Sequence, residues 1–314
     1  VKFQRPPADG SQIFPDRHGI SLYYLINIGS IIFRYGLKES PSVATRVELL
    51  SKDDDLYEGD GVISPEKISA QRNFRELAEL VILSTVESEN IETVALLDNG
   101  LLPVFLDRAS EDKAPSEFIK NSLILLSAIA KHEKATIAGV VDRPRAANVI
   151  SLLHLSQVEM AKIDQAKLRI SNGPFRHITD AMLFNFLKPG ERSAIFVTES
   201  WPNREKYQEA GQLIYFFYLN AGRSENTAIL RIEVPQWVAK SKTKLELVHA
   251  TIYEQSKVLN GFPYVLTRAD EMAVVTGADR QVLDEMIATA LVGKGLPLSL
   301  SQKQQGKRQT RGKR

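Results

Sequence analysis

Cysteine is absent from the 314 residues. That absence excludes disulfides, thiolate zinc sites, iron–sulfur clusters and cysteine nucleophiles together. It fits a reducing compartment, and a cytoplasmic location is expected. Long apolar runs are missing too. The most apolar stretches, around Leu22–Ile32 and Leu123–Ala130, fall short of the roughly 18–20 residues that cross a bilayer, so no membrane association is expected. Histidine is scarce. The five present (His18, His132, His154, His177 and His249) show no His-x-His or His-x-x-x-His spacing, so a histidine-dominated metal site is not expected. Any bound metal should have oxygen ligands, which points to Mn²⁺ or Mg²⁺. Residue 1 is Val rather than Met. A segment is therefore expected to have been cut away or left out before it, and an N-terminal signal stays an open alternative.

What is present is the balance of an ordinary globular protein, with 43% apolar and 25% charged residues. The net charge of +2 is unevenly spread. Residues 302–314 hold six basic side chains and no acid, which leaves 34 basic against 38 acidic residues elsewhere, about −4. One domain over residues 1–300 with a basic, disordered tail at 301–314 is expected. The tail reads either as an arm that meets polyanions or as a solubilising extension.

Along the chain, Asp9-Gly-Ser is followed by a β-like region, Leu22 to Tyr35. Asn27-Ile-Gly29-Ser30 in its middle predicts a turn and a hairpin of Tyr23–Ile28 and Ile31–Tyr35. Asp53, Asp54, Asp55, Glu58 and Asp60 form an acidic stretch without EF-hand spacing, read as a solvated loop. Helical spacing predicts a helix over 65–88, with Phe74, Leu77, Ala78, Val81 and Ile82 on its apolar side. Further helices are predicted at 115–132, 147–162, 178–187, 243–259 and 279–291. Strands are predicted at 93–97, 135–141, 194–198, 213–219, 227–234 and 272–276. The apolar strands at 93–97 and 135–141, alternating with helices, imply a largely parallel sheet covered by helices in one compact α/β domain.

Two carboxylates stand out. Asp9 and Asp98 each sit beside a glycine-containing turn, and Asp98 directly follows a predicted core strand. Strand ends of open α/β sheets collect ligands, and convergent carboxylates are what divalent-metal cleavage of phosphodiesters requires. Asp-Gly and Asp-Asn-Gly are also ordinary turn formers.

The order of elements is that of RNase H-like nucleases: an early acid, a hairpin, an acid-bearing helix, then a strand ending in Asp. The strings DGSQIFPDRHG (9–19), YLINIGSIIFRY (24–35), VALLDNGLL (94–102) and IAGVVDRPRAANVISLLHL (137–155) go further. With ITDAMLFNFLKPGERSAIF (178–196), IYFFYLN (214–220), ILRIEVPQW (229–237) and GFPYVLTRADEMAVVT (261–276), they resemble the NurA nuclease family in series. The resemblance implies an RNase H-like mixed sheet flanked by helices and a DNA nuclease, exonuclease or endonuclease, dependent on Mn²⁺ or Mg²⁺. It further implies DNA end processing in double-strand break repair, a homodimer, and a HerA-like hexameric translocase as partner. Carried over by residue, the metal centre falls on Asp9, Glu79, Asp98 and Asp270, with Glu76 on nearly the same helical face as the alternative to Glu79.

The chain departs from the family in places. Relatives often carry His where Asp270 stands, and many carry Lys where Asp142 stands. Pro6-Pro7-Ala8 precedes Asp9 where an apolar strand is expected, so that strand should be short or lie at an edge. These departures favour the alternative of a catalytically weakened nucleic-acid-binding or scaffold protein of the same fold; a phosphatase of small nucleotides is a third. Arg143, Arg145 and Arg268 are the expected DNA contacts, although surface ion pairs would equally explain Arg143 and Arg145. Tyr215, Phe216, Phe217 and Tyr218 read as core, with base stacking as the alternative. Asp180 reads as the N-cap of the helix that follows it.

Overall fold

Pro6 divides one extended segment into β1 (Phe3–Arg5) and β2 (Pro7–Ile13), and both lie between β3 (Tyr24–Tyr35) and β7 (Glu92–Asp98). The computed structural model describes residues 3–17, 19–87, 91–102, 116–157, 175–223 and 226–295; the basic tail and residues 158–162 of the predicted helix lie outside them. β2 starts at Pro7, and Pro6 still accepts from Leu96 N at 3.1 Å, so the two prolines leave the segment paired with β7. The strand bearing Asp9 is therefore interior, not short or at an edge.

No hairpin forms at Asn27-Ile-Gly29-Ser30. β3 runs through it unbroken and pairs antiparallel with β2 on one side and β4 (Ser42–Leu50) on the other. The acidic stretch is a single turn, α1 (Asp53–Leu56), and a small ribbon of β5 (Tyr57–Glu58) and β6 (Gly61–Val62). α2 (Pro65–Glu87), α3 (Ser116–Ala130) and α4 (Asn148–Ser156) alternate with β7 and β8 (Ala135–Val141). After the short α5 (Asp180–Leu183) come β9 (Phe196–Val197), β10 (Ile214–Asn220) and β11 (Ile229–Pro235). α6 (Gln236–Ala239), α7 (Lys242–Ser256), α8 (Tyr264–Ala273) and α9 (Gly277–Gly293) close the chain.

Among the described residues all of these strands except β5 and β6 form one nine-stranded mixed sheet. β4-β3-β2-β7-β8 lie side by side, antiparallel over the first three and parallel from β2 to β7 to β8. This is the RNase H-like arrangement. β11 and β10 add antiparallel strands beyond β8, so the sheet is mixed and not largely parallel.

Side-chain alternation along β7 explains the layers. Ala95 and Leu97 join Leu77, Leu80, Leu126 and Ile129 of α2 and α3 on one face. Val94 and Leu96 join Val248, Ile252, Val265 and Leu266 of α7 and α8 on the other. Burying both faces makes β7 and β8 continuous apolar runs. In β10, Phe216 and Phe217 are buried, and Tyr218 stacks on Phe184 at 4.9 Å; these aromatics are core.

Candidate active site

Register brings Asp9 and Asp98 together. Pro7 and Ala8 pair in parallel with Leu96 and Leu97, so Asp9 and Asp98 are the next neighbours on adjacent strands. Asp98 ends its strand as expected, whereas Asp9 lies within β2 and pairs with Gly29. Alternation sends Ala8 and Gly10 toward α2, and Asp9 and Ser11 toward α8. Ser11 Oγ donates to Ala273 O at the end of α8, and Asn27 Nδ2 donates to the same oxygen at 2.8 Å.

The residues that resemble a turn in sequence hold that helix. A Cβ at Gly29 would lie 2.6 Å from Ala273 N and 2.8 Å from Ala269 O, so only glycine lets α8 rest directly on β3. α8 replaces the predicted strand over 272–276, of which only 272–273 are helical. Thus seated, it presents Asp270, exposed, to the Asp9–Asp98 pair: the Asp270 charge raises both pKa values.

The helical carboxylate in this group is Glu76. α2 turns Glu76, Leu77, Glu79, Leu80 and Ser84 inward and leaves Ile82 exposed, so the side expected to be solvated is partly buried. Glu76 is fully buried and packs into the space that Gly10 leaves; a Cβ there would lie 2.7 Å from Glu76 Oε1. Neither Glu76 oxygen has a hydrogen-bond partner. Glu79 lies elsewhere. It accepts from Ser30 Oγ at 3.2 Å and faces Arg46 at 3.5 Å, over β3 and β4.

Burial dominates the electrostatics. It pushes Asp9 up to about 6, Asp98 to about 7 and Glu76 to about 8, and neighbouring carboxylates add to each shift: Asp270 to that of Asp9, Asp9 and Asp270 to that of Asp98, Asp9 and Asp98 to that of Glu76. Arg72, whose Nε is 3.0 Å from Glu76 Oε1, opposes all three shifts. Arg72 also donates to Gly10 O at 3.2 Å and Gln12 Oε1 at 3.1 Å. The Asp142 charge also reaches Asp98.

The expected DNA contacts sit at the margin. Arg143 is 93% exposed and pairs with Asp142 at 3.6 Å, Arg145 is exposed, and Arg268 pairs with Glu271 along α8. Asp180 is a capping residue, but of a different helix. Thr179 caps α5, while the buried Asp180 carboxylate accepts from Val149 N and Ile150 N at the start of α4 and from Tyr218.

Two further groups escaped sequence reasoning. Glu233 is 3% exposed; its Oε2 accepts from Leu102 N at 3.1 Å and its Oε1 from Arg231 Nε at 2.9 Å. A Cβ at Gly100 would lie 2.5 Å from Glu233 Oε2, and one at Gly139 would lie 2.5 Å from Asn99 O. The segment after Asp98 is thereby pinned between β8 and the buried ion pair. The only signal was two charges, Arg231 and Glu233, alternating inside the apolar string ILRIEV.

The NurA domain family pattern matches residues 8–275, which contain every acid described above. The chain belongs to the NurA family. Its structure is similar to that of the NurA nuclease from Sulfolobus solfataricus, with a TM-score of 0.58 and 12% identity over 93% of this chain and 85% of that one. At that identity the likeness establishes the NurA fold. The catalytic domain of human Endonuclease V is also similar, at 16% identity over 91% of this chain and 84% of that one, but a TM-score of 0.37 carries no argument. No curated protein matches the chain in sequence.

Proposed function

We propose that this NurA-family chain is a DNA nuclease that hydrolyses phosphodiester bonds with Mn²⁺ or Mg²⁺. The observation that carries this reading is the meeting of Asp9, Asp98 and Asp270 with Glu76, whose two buried oxygens have no hydrogen-bond partner. A buried carboxylate that completes no hydrogen bond is costly, and the neighbouring Arg72 guanidinium offsets that cost only in part. The donor set is all oxygen, which suits a hard divalent ion. Among the described residues no three His, Asp or Glu side chains already stand at metal-ligand spacing.

Asp9, Asp98 and Asp270 would hold the ion from the α8 face, with Glu76 completing the set across Gly10 in place of Glu79. When bound, the ion supplies Lewis-acid stabilisation of the phosphodiester and activation of water. Arg72 keeps Glu76 oriented toward the strand. Arg143, Arg145 and the half-exposed Arg268 meet flanking phosphates, for which guanidinium forks are suited. A cytoplasmic role in DNA end processing and break repair, as a homodimer with a HerA-like hexameric translocase, accompanies this reading through the family resemblance. Among the described residues no helix is long and apolar enough to cross a membrane.

The test is cleavage of end-labelled single- and double-stranded DNA with Mn²⁺, Mg²⁺ or EDTA. Cleavage with metal and none with EDTA is expected. Cleavage that survives EDTA would overturn the metal role. DNA binding with no cleavage under either metal would instead support a weakened scaffold.

A further inference from the structure

A groove of about 810 Å³ opens where β8 ends and β11 begins, lined by Arg143, Met182, Asn185, Asn226, Asn260 and Phe262 among others. Asp142, also in its wall, is the residue whose charge reaches Asp98. At the other end, Phe262 leads into α8, and Asp270 lies six residues beyond Tyr264. At 1.5 Å per helical residue that is about 9 Å, roughly two to three stacked nucleotides.

The backbone marks the same place. Three non-glycine residues among those described have left-handed φ: Arg143 (44°), Asn260 (58°) and Asn99 (130°). The first two line the groove and the third follows Asp98. Such conformations cost energy and gather where surrounding structure holds a functional surface. Gly261 (φ 130°) draws the walls together, since a Cβ there would lie 2.6 Å from Ala228 Cβ.

We infer that this groove is a subsite for one unpaired DNA nucleotide, two or three residues from the bond that is cut. The inference rests on the nuclease reading. The chemistry of the lining matches a nucleotide part by part. Met182 and Phe262 offer apolar surface to the face of a base. The carboxamides of Asn185, Asn226 and Asn260 each donate and accept, so they can meet the edge of any base. Arg143 supplies a permanent cation for the phosphate. The site therefore selects for an unpaired base and not for sequence, because a paired base has its edge occupied.

Two measurements test this. The first is NMR titration of the full chain with thymidine 5′-monophosphate and, as base-free control, 2-deoxyribose 5-phosphate. About ten-fold tighter binding of the nucleotide is expected. The double variant Asn260→Gly/Phe262→Ala should lose that difference, and glycine at 260 keeps the left-handed backbone. Equal affinities, or a difference unchanged in the variant, would overturn the subsite. The second is cleavage of single-stranded oligonucleotides carrying one abasic residue at successive positions. About ten-fold slower cutting is expected when it falls two or three residues from the cut. Intact DNA cut with no sensitive abasic position would overturn the subsite and leave the nuclease standing. Nucleotide selectivity in a chain that cuts no DNA would overturn the nuclease and leave the groove.

Discussion

Glu76 Oε1 lies 3.0 Å from Arg72 Nε, one turn earlier on the same helix, yet neither atom completes a hydrogen bond. The pair is close enough to attract and too poorly aligned to satisfy itself. A carboxylate held in that state is ready to take a cation or a proton.

Glu76→Gln should therefore lower metal-dependent cleavage by at least about 100-fold, the scale of losing one group that acts on developing charge. Glu79→Gln, whose carboxylate meets Ser30 and Arg46, should stay within a few-fold of the parent. Measuring kcat and thermal stability for both variants decides the point. A reversed order would return Glu79 to the site.

In the metal-free protein, pH should act on stability through the same acids. The folded pKa values of Asp9, Asp98 and Glu76 are raised from 3.8, 3.8 and 4.5 to about 6, 7 and 8. The folded state thus holds protons that the unfolded chain has released. Their contribution is fully present below about pH 4 and is lost as pH rises to about 8. The Tm advantage of the parent over Glu76→Gln, measured in EDTA, should shrink between pH 5 and pH 8. An advantage that grows with pH would show Glu76 to be charged and paired.

Gly29→Ala should damage both fold and function without touching a reacting group. Its Cβ would meet the backbone of α8 at 2.6 Å, and backbone cannot swing aside as a side chain can. Overpacking of this kind costs about 1–3 kcal/mol or more. A Tm drop accompanied by a disproportionate fall in kcat is the expected pattern, because α8 carries Asp270.

At position 270, three variants separate roles. Asp270→His should be tolerated better than Asp270→Ala, since imidazole can still coordinate Mn²⁺. Asp270→Asn should raise the Mn²⁺ concentration needed for half-maximal activity while largely keeping shape. Identical Mn²⁺ titrations in all three would remove Asp270 from the centre.

Deleting residues 302–314 should weaken DNA binding and flatten its salt dependence, because a chain that neutralises fewer phosphates releases fewer counterions. Cleavage at saturating DNA should survive. An unchanged log–log slope would leave the tail without a DNA role.

β7 and β8 were legible from sequence because burial on both faces makes them uninterrupted apolar runs, and Asp98 was legible as the polar residue that ends one. β4 was not, although Val43, Val47 and Leu49 alternate with Arg46 and Glu48, because that apolar side of the edge strand is itself exposed and short. Asn27, Gly29 and Ser30 imitate a turn, because contact with a helix far away in sequence selects the same residue types. α8 was hidden by Val274 and Val275, which mimic the end of a strand. Glu76 and Glu79 differ by three positions on one face, and periodicity cannot say which one a glycine in β2 will admit.

The seating of Ala273 O against Ser11 and Asn27 joins the two extremes of the described chain. Contacts of such sequence separation are made late, after the intervening loops have closed. A nascent chain still lacking α8 holds Asp9 and Asp98 but has no way to bring up the last carboxylate. On the proposed reading, synthesis itself thus acts as a safety catch, withholding a complete centre until nearly the whole domain has left the ribosome.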